Sequence, residues 1–156
     1  MDLGLGHVYG CIGAALAIIV SSIGSCIGVG KAGQMAGGVL SKDPSKFGGL
    51  LVLQLLPATQ GIYGFIIAFM ALMNMGLLGA PVEFSKYQGL ATLAVCLPIA
   101  IIGFFSAIFQ GRVAMAGMEL CVKQEGQNGR AILMAALVEI FAIFSLVVSL
   151  IAVINI

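Results

Sequence analysis

Three stretches without a charged side chain and a fourth with a single one dominate this sequence, and each is long enough to cross a bilayer. No Asp, Glu, Lys or Arg lies between His7 and Lys31, between Lys46 and Glu83, or between Lys86 and Arg112. After Arg130 a single one remains, Glu139. A hydrocarbon core of about 30 Å takes about 20 apolar residues of helix to span, and each gap exceeds that. The overall balance agrees, at 61% hydrophobic and 8% charged residues, against about 25% charged in a soluble domain. The chain is therefore predicted to be an all-α membrane protein of four transmembrane helices, near 8–40, 48–77, 88–122 and 130–155. Three connectors separate them: Ser41–Phe47, Leu78–Tyr87 and Lys123–Gly129.

The stops have ordinary causes: Pro44 follows Asp43 in a polar loop, and Gly79-Ala80-Pro81 breaks the second span. Several predicted helices exceed what a bilayer needs, so their ends are expected to project into the cytosol. The segment before His7 lacks a basic n-region and the first apolar run is too long for a signal peptide, so a cleaved leader is not expected. Cys11, Cys26, Cys96 and Cys121 have no metal-like spacing and read as small apolar packers. A formal net charge of +1 gives no hint of nucleic acid. Of the seven basic residues, only Lys86 flanks the second connector. The excess at the first and third predicts that loops 41–47 and 123–129 are cytoplasmic and both termini extracytoplasmic.

The chain also reads as a duplication, with hairpins at 1–80 and 81–156. Ser25-x4-Gly30-Lys31 matches Ser106-x4-Gly111-Arg112, and Met35-Ala36-Gly37 matches Met115-Ala116-Gly117. Further on, the segment around Tyr63 aligns with that around Phe141, which sets Gly61 opposite Glu139. Both halves start on the same side, so this is a parallel repeat of the kind found in transport proteins. Small residues recur at helical spacing, as Gly13, Ala17, Ser21, Gly24 and Gly28 on the first span and Gly103, Ala107 and Gly111 on the third. Such stripes let helices approach closely in lipid. They suit a narrow inner layer of first and third helices with the second and fourth outside, and they would equally tighten a single four-helix bundle.

Glu139 is the sharpest chemical signal. An ionised carboxylate at mid-membrane costs about 2.5–3.5 kcal/mol or more, so it needs a counter-charge, a cation or a proton. The bland reading is a protonated acid bonding a neighbouring helix. Other polar side chains fall at the same depth: Gln60 lies 14 residues after Lys46, Gln110 lies 13 before Lys123, and Glu139 lies 14 after Glu125. At about 1.5 Å per residue, each sits roughly 20 Å from its loop. Leu56, Thr59, Gln60 and Tyr63 share one helical face. Pro57 removes a backbone hydrogen bond and displaces the carbonyl of Leu53; a kink there also offers a carbonyl such as that of Leu56. Two amides, a hydroxyl, a carboxylate and a carbonyl would make five hard oxygen ligands for a hard cation. One negative charge among them favours a monovalent ion such as Na⁺, and so many oxygens exceed what a proton requires.

Each residue has a plainer use. Gln60 and Gln110 can bridge helices, at about 0.6 kcal/mol. Thr59 can bond back to its own helix, the favoured reading for that residue alone. Tyr63 can anchor at an interface, although its place beside Gln60 makes a hydrogen bond to Glu139 more attractive. Lys31 and Arg112 read as snorkelling flanks.

At these residues the chain resembles a known family. Leu53-Gln-Leu-Leu-Pro-Ala-Thr-Gln-Gly-Ile-Tyr-Gly-Phe65, Phe109-Gln-Gly-Arg112 and Leu137-Val-Glu139 are similar to the membrane rotor-ring proteolipid of V-type ATPases. The match is to its bacterial Na⁺-transporting form, of the K type, over essentially the whole chain. The resemblance implies tandem hairpins assembling into a homo-oligomeric ring, helices 1 and 3 inside. It implies Na⁺ (alternatively H⁺) held by the Leu56 carbonyl, Thr59, Gln60, Gln110 and Glu139, with Tyr63 bonding the carboxylate. The Leu56 assignment comes from the resemblance, since the proline argument alone points to Leu53. It further implies a stator membrane subunit with an arginine, and a central-stalk subunit at the cytosolic loops. Nucleotide chemistry is expected elsewhere, because no Gly-x4-Gly-Lys-[Ser/Thr] loop is present. The competing class is a small four-helix multidrug exporter, which resembles this chain in size but carries its glutamate in the first helix.

Overall fold

A computed structural model describes residues 4–79 and 82–156 as four long helical spans packed side by side. The expected breaker at Ala80-Pro81 and the hairpin boundary at 80/81 lie outside the described residues. The first span is α1 (Leu5–Leu40). Its 36 residues make about 54 Å of helix, well beyond a bilayer's hydrocarbon. The chain then turns through Pro44–Lys46, a single 3-10 turn. Asp43 opens that turn by accepting the Ser45 N–H at 3.1 Å and the Ser45 hydroxyl at 2.5 Å. The Ser45 hydroxyl bond is the main cause that holds the Asp43 carboxyl below its ordinary range.

The second span is interrupted. Helix α2 (Phe47–Leu55) passes through a 3-10 turn at Leu56–Ala58 into α3 (Thr59–Asn74). Pro57 is the cause, because it cannot donate to the helical ladder. The span ends at Asn74, three residues before the expected end. The turn beyond it carries Gly76 at φ +68°, a left-handed conformation that glycine adopts without steric cost. Helix α4 (Lys86–Lys123) begins at a capping box in which Ser85 and Gln88 satisfy each other's backbone N–H. That box fixes a start two residues ahead of the expected one. Helix α5 (Asn128–Ile154) follows a turn with Gly126 at φ +75°.

The two small-residue stripes meet. A Cβ at Gly24 would lie 2.6 Å from the Phe104 Cα, and one at Gly111 would lie 2.7 Å from the Gly28 Cα. Helices α1 and α4 therefore touch backbone to backbone, as small-residue interfaces in lipid require. Near the loops, Lys46 Nζ donates to the Cys121 carbonyl at 3.2 Å, supplying a partner and a positive charge to the end of α4.

Two apolar clusters fill the interior. One, around Leu50, Leu53 and Met118, lies towards the short loops. The other, around Ile67, Ile99 and Val153, lies towards the termini. A polar band that includes Gln60, Ser106 and Gln110 separates them. Most outward-facing side chains of the spans are apolar, with Phe141 at 65% and Phe144 at 62% exposure. All four spans are long and apolar enough to cross a membrane, and the chain is a multi-pass membrane protein.

Candidate ion-binding site

Pro57 sets the local geometry from which the site is built. Its ring lies against Gly28 of α1, where a Cβ would come within 2.7 Å of the Pro57 Cβ. The turn it imposes gives the Leu56 carbonyl two local partners: the Thr59 N–H and, at 3.0 Å, the Thr59 hydroxyl. Thr59 therefore bonds back to its own chain, the use expected for it taken alone. One residue on, Gln60 points into α4, and Tyr63, on the same face of α3, reaches α5.

Glu139 is half-buried on α5. Its Oε1 accepts the Tyr63 hydroxyl at 2.5 Å and its Oε2 accepts Gln110 Nε2 at 3.2 Å. Gln110 Oε1 in turn accepts Gln60 Nε2 at 2.6 Å. Gln60 and Gln110 are both 0% exposed, so the bond between them is dry. The structure thus brings Gln60, Tyr63, Gln110 and Glu139 into one continuous network. Leu56 and Thr59 stand at its edge, bonded to each other.

Two features of the network remain unbalanced. Gln60 Oε1 is buried and has no hydrogen-bond partner, a desolvation cost of about 1–3 kcal/mol. Glu139 has no cationic partner either: the ion pairs among the described residues are Lys46–Asp43 and Lys123–Glu119. Arg112 lies near the network in sequence but sits over the Phe109 ring, 5.2 Å from its centroid, on the exposed side of α4. A carboxylate without a protein counter-charge and an amide oxygen without a donor are together what a small cation would satisfy.

Ser106 belongs to the same network and was not singled out from sequence as a site residue. It accepts Gln60 Nε2 at 3.3 Å and donates to the Val138 carbonyl at 3.2 Å, fixing the residue before Glu139. Its counterpart Ser25 accepts the Gly61 N–H at 2.9 Å. Each serine therefore touches the backbone at or beside the position aligned with Gly61 or Glu139. The available signal was that the same residue recurs at matched positions of the two halves.

Comparison with known proteins identifies the family. The family of ATP synthase C subunits matches twice, at residues 12–71 and 93–152. The V-type sodium ATPase subunit K of Enterococcus hirae is 44% identical over 150 residues, covering 96% of this chain and 93% of that protein. The A-type ATP synthase subunit K of Methanocaldococcus jannaschii is 34% identical over 149 residues, covering 96% of this chain and 63% of its own length. A V-type proton ATPase 16 kDa proteolipid from Chrysotila carterae is 27% identical over 144 residues, with 92% and 88% covered. With both halves matched and a near-full-length relative at 44% identity, this chain belongs to the family of ATP synthase C subunits, as a duplicated member of the K type.

Proposed function

We propose that the chain is the Na⁺-carrying rotor-ring subunit of a V-type ATPase, with Glu139 as the residue that takes up and releases the ion. Gln60, Gln110 and Glu139 supply side-chain oxygens, Thr59 and the Leu56 carbonyl complete the shell, and Tyr63 orients the carboxylate. The observation that carries this reading is the unpartnered, buried Gln60 oxygen, on an amide bonded directly to the one that reaches Glu139. Hard oxygen donors suit an alkali cation, and one carboxylate balances one Na⁺. Completing the shell requires the Thr59 and Leu56 oxygens to use lone pairs that their mutual bond leaves free. The sodium ATPase named among the relatives supports the choice of ion.

Neutrality is the working principle. A carboxylate balanced by Na⁺ can face lipid, whereas a bare one costs about 2.5–3.5 kcal/mol or more. An ion loaded from one side lets its subunit turn through the bilayer within a ring of identical copies. Meeting a stator arginine then displaces the ion, and the membrane potential contributes about 2.3 kcal/mol per charge per 100 mV. The loops at 41–47 and 123–129 face the cytoplasm in this reading and meet the central stalk. ATP is handled in a separate soluble sector.

Carbodiimide labelling of Glu139 tests the reading. Na⁺ protects Glu139 in a concentration-dependent way if the site is a sodium site. Absence of protection at every pH transfers the ring to protons. A dimeric mass in detergent, in place of a large ring, points to the exporter class.

A further inference from the structure

Gln60 can serve a cation with only one end of its amide. The two ends are alike in size, and a half-turn about the last side-chain torsion exchanges oxygen and NH₂. Facing an ion, the oxygen is a ligand and the NH₂ group repels. Hydrogen bonds that accept only one end can hold the amide one way round, and Ser106 makes such a bond. A serine hydroxyl has one proton to donate and two lone pairs. The proton of Ser106 goes to the Val138 carbonyl at 3.2 Å, because a carbonyl oxygen can only accept. What Ser106 turns towards α3 is then a lone pair, and it takes Gln60 Nε2 at 3.3 Å. The second proton of that NH₂ group goes to Gln110 Oε1 at 2.6 Å. Both Nε2 protons are thus used within the packing, and Gln60 Oε1 is left buried without a partner. Turning the amide over would set its oxygen against the Ser106 lone pair and Gln110 Oε1 together.

We propose that Ser106 is a positioning residue for the cation: it holds the Gln60 amide with its oxygen presented to the ion, through loading and release alike. This rests on the sodium reading above and adds to it the group that sets the polarity of one ligand. The two restraints on Gln60 differ in permanence. Gln110 presents its oxygen to Gln60 because its own Nε2 donates to Glu139, whose partners change in that reading as the ion comes and goes. The Val138 carbonyl is backbone and stays an acceptor throughout. Ser106 is buried and joins α3 to α5 from its place on α4. Ser21 and Ser145 instead bond back to their own helices. Ser25, at the matched position of the half without a carboxylate, accepts the Gly61 N–H.

Ser106→Ala removes this restraint and leaves every proposed ligand in place. Val138 lies within α5, where the helical ladder still gives its carbonyl a donor, so assembly mass and thermal stability in detergent should stay close to wild type. The Na⁺ concentration that half-protects Glu139 from carbodiimide should rise about three- to tenfold, the range of one neutral hydrogen bond. Ser106→Thr keeps the hydroxyl and should restore the wild-type concentration. Ser106→Ala added to Gln60→Leu should weaken protection no further, because no amide is left to orient and residues acting through one another are not additive. Half-protection by Ser106→Ala within about twofold of wild type overturns the proposal. An equal further loss on the Gln60→Leu background overturns it too, because Ser106 would then act on Glu139 through Val138 and not on the amide. A wild-type chain that Na⁺ does not protect overturns the sodium reading itself, and the proposal with it.

Discussion

Tyr63→Phe removes one hydroxyl and leaves the ring in place, which makes it the cleanest probe of the carboxylate's surroundings. That hydroxyl donates one of the two side-chain hydrogen bonds reaching Glu139, at 2.5 Å; the other, from Gln110, is longer at 3.2 Å. A hydrogen bond to a charged group contributes about 1.5–3 kcal/mol, and the partly exposed position of this one favours the lower end. Na⁺ competes with a proton for Glu139, and a protonated acid accepts the phenol's bond less strongly than a carboxylate does. Most of the loss therefore falls on the ion-bound state. At about 1.4 kcal/mol per tenfold change, the Na⁺ concentration that half-protects Glu139 from carbodiimide should rise by roughly ten- to thirtyfold. Ring mass and helicity should not change. A half-protecting concentration within about twofold of wild type would refute the reasoning, because Tyr63 would then not be stabilising the ionised acid.

Other perturbations separate site from scaffold. Glu139→Gln should abolish labelling and ion-dependent protection while the assembly keeps its mass, since an amide keeps the shape and loses the charge. Gln60→Leu removes the unpartnered oxygen together with the donor to Gln110; Na⁺ protection should weaken by about tenfold or more, whereas a pure helix bridge would cost only about 0.6 kcal/mol of stability and leave protection unchanged. Gly24→Leu forces the α1 and α4 backbones apart at Phe104, and the lowered thermal stability in detergent should exceed that of an overpacked core, about 1–3 kcal/mol. Lys46→Ala withdraws the Cys121 carbonyl's partner, costing about 0.3–1 kcal/mol, with faster hydrogen exchange confined to the end of α4.

The spans were legible because the bilayer makes a charge expensive: the gaps bounded by Lys31, Lys46, Glu83 and Arg112 mark where helices must lie. Glu139, Gln60 and Gln110 were legible for the same reason, since polar groups at one depth on three helices are costly unless they meet. The α1–α4 contact was legible from glycine spacing, although that spacing alone did not separate a layered arrangement from a simple bundle. Pro57 announced an interruption but not its geometry. Whether the freed backbone leaves the Leu53 or the Leu56 carbonyl exposed depends on how the chain retightens, and it retightened as a 3-10 turn that hands the Leu56 oxygen to Thr59. Ser106 was hidden for another reason. A serine in an apolar helix usually bonds back to its own turn, as Ser21 does to Ala17 and Ser145 to Ala142. Only the packing of α5 turns Ser106 outward to Val138.

Equilibrium binding of radioactive sodium to the purified assembly addresses the central claim most directly. Wild-type protein should bind about one Na⁺ per chain, and Glu139→Gln should bind none at the same concentration. Sodium bound equally by both proteins, or by neither, would contradict the account.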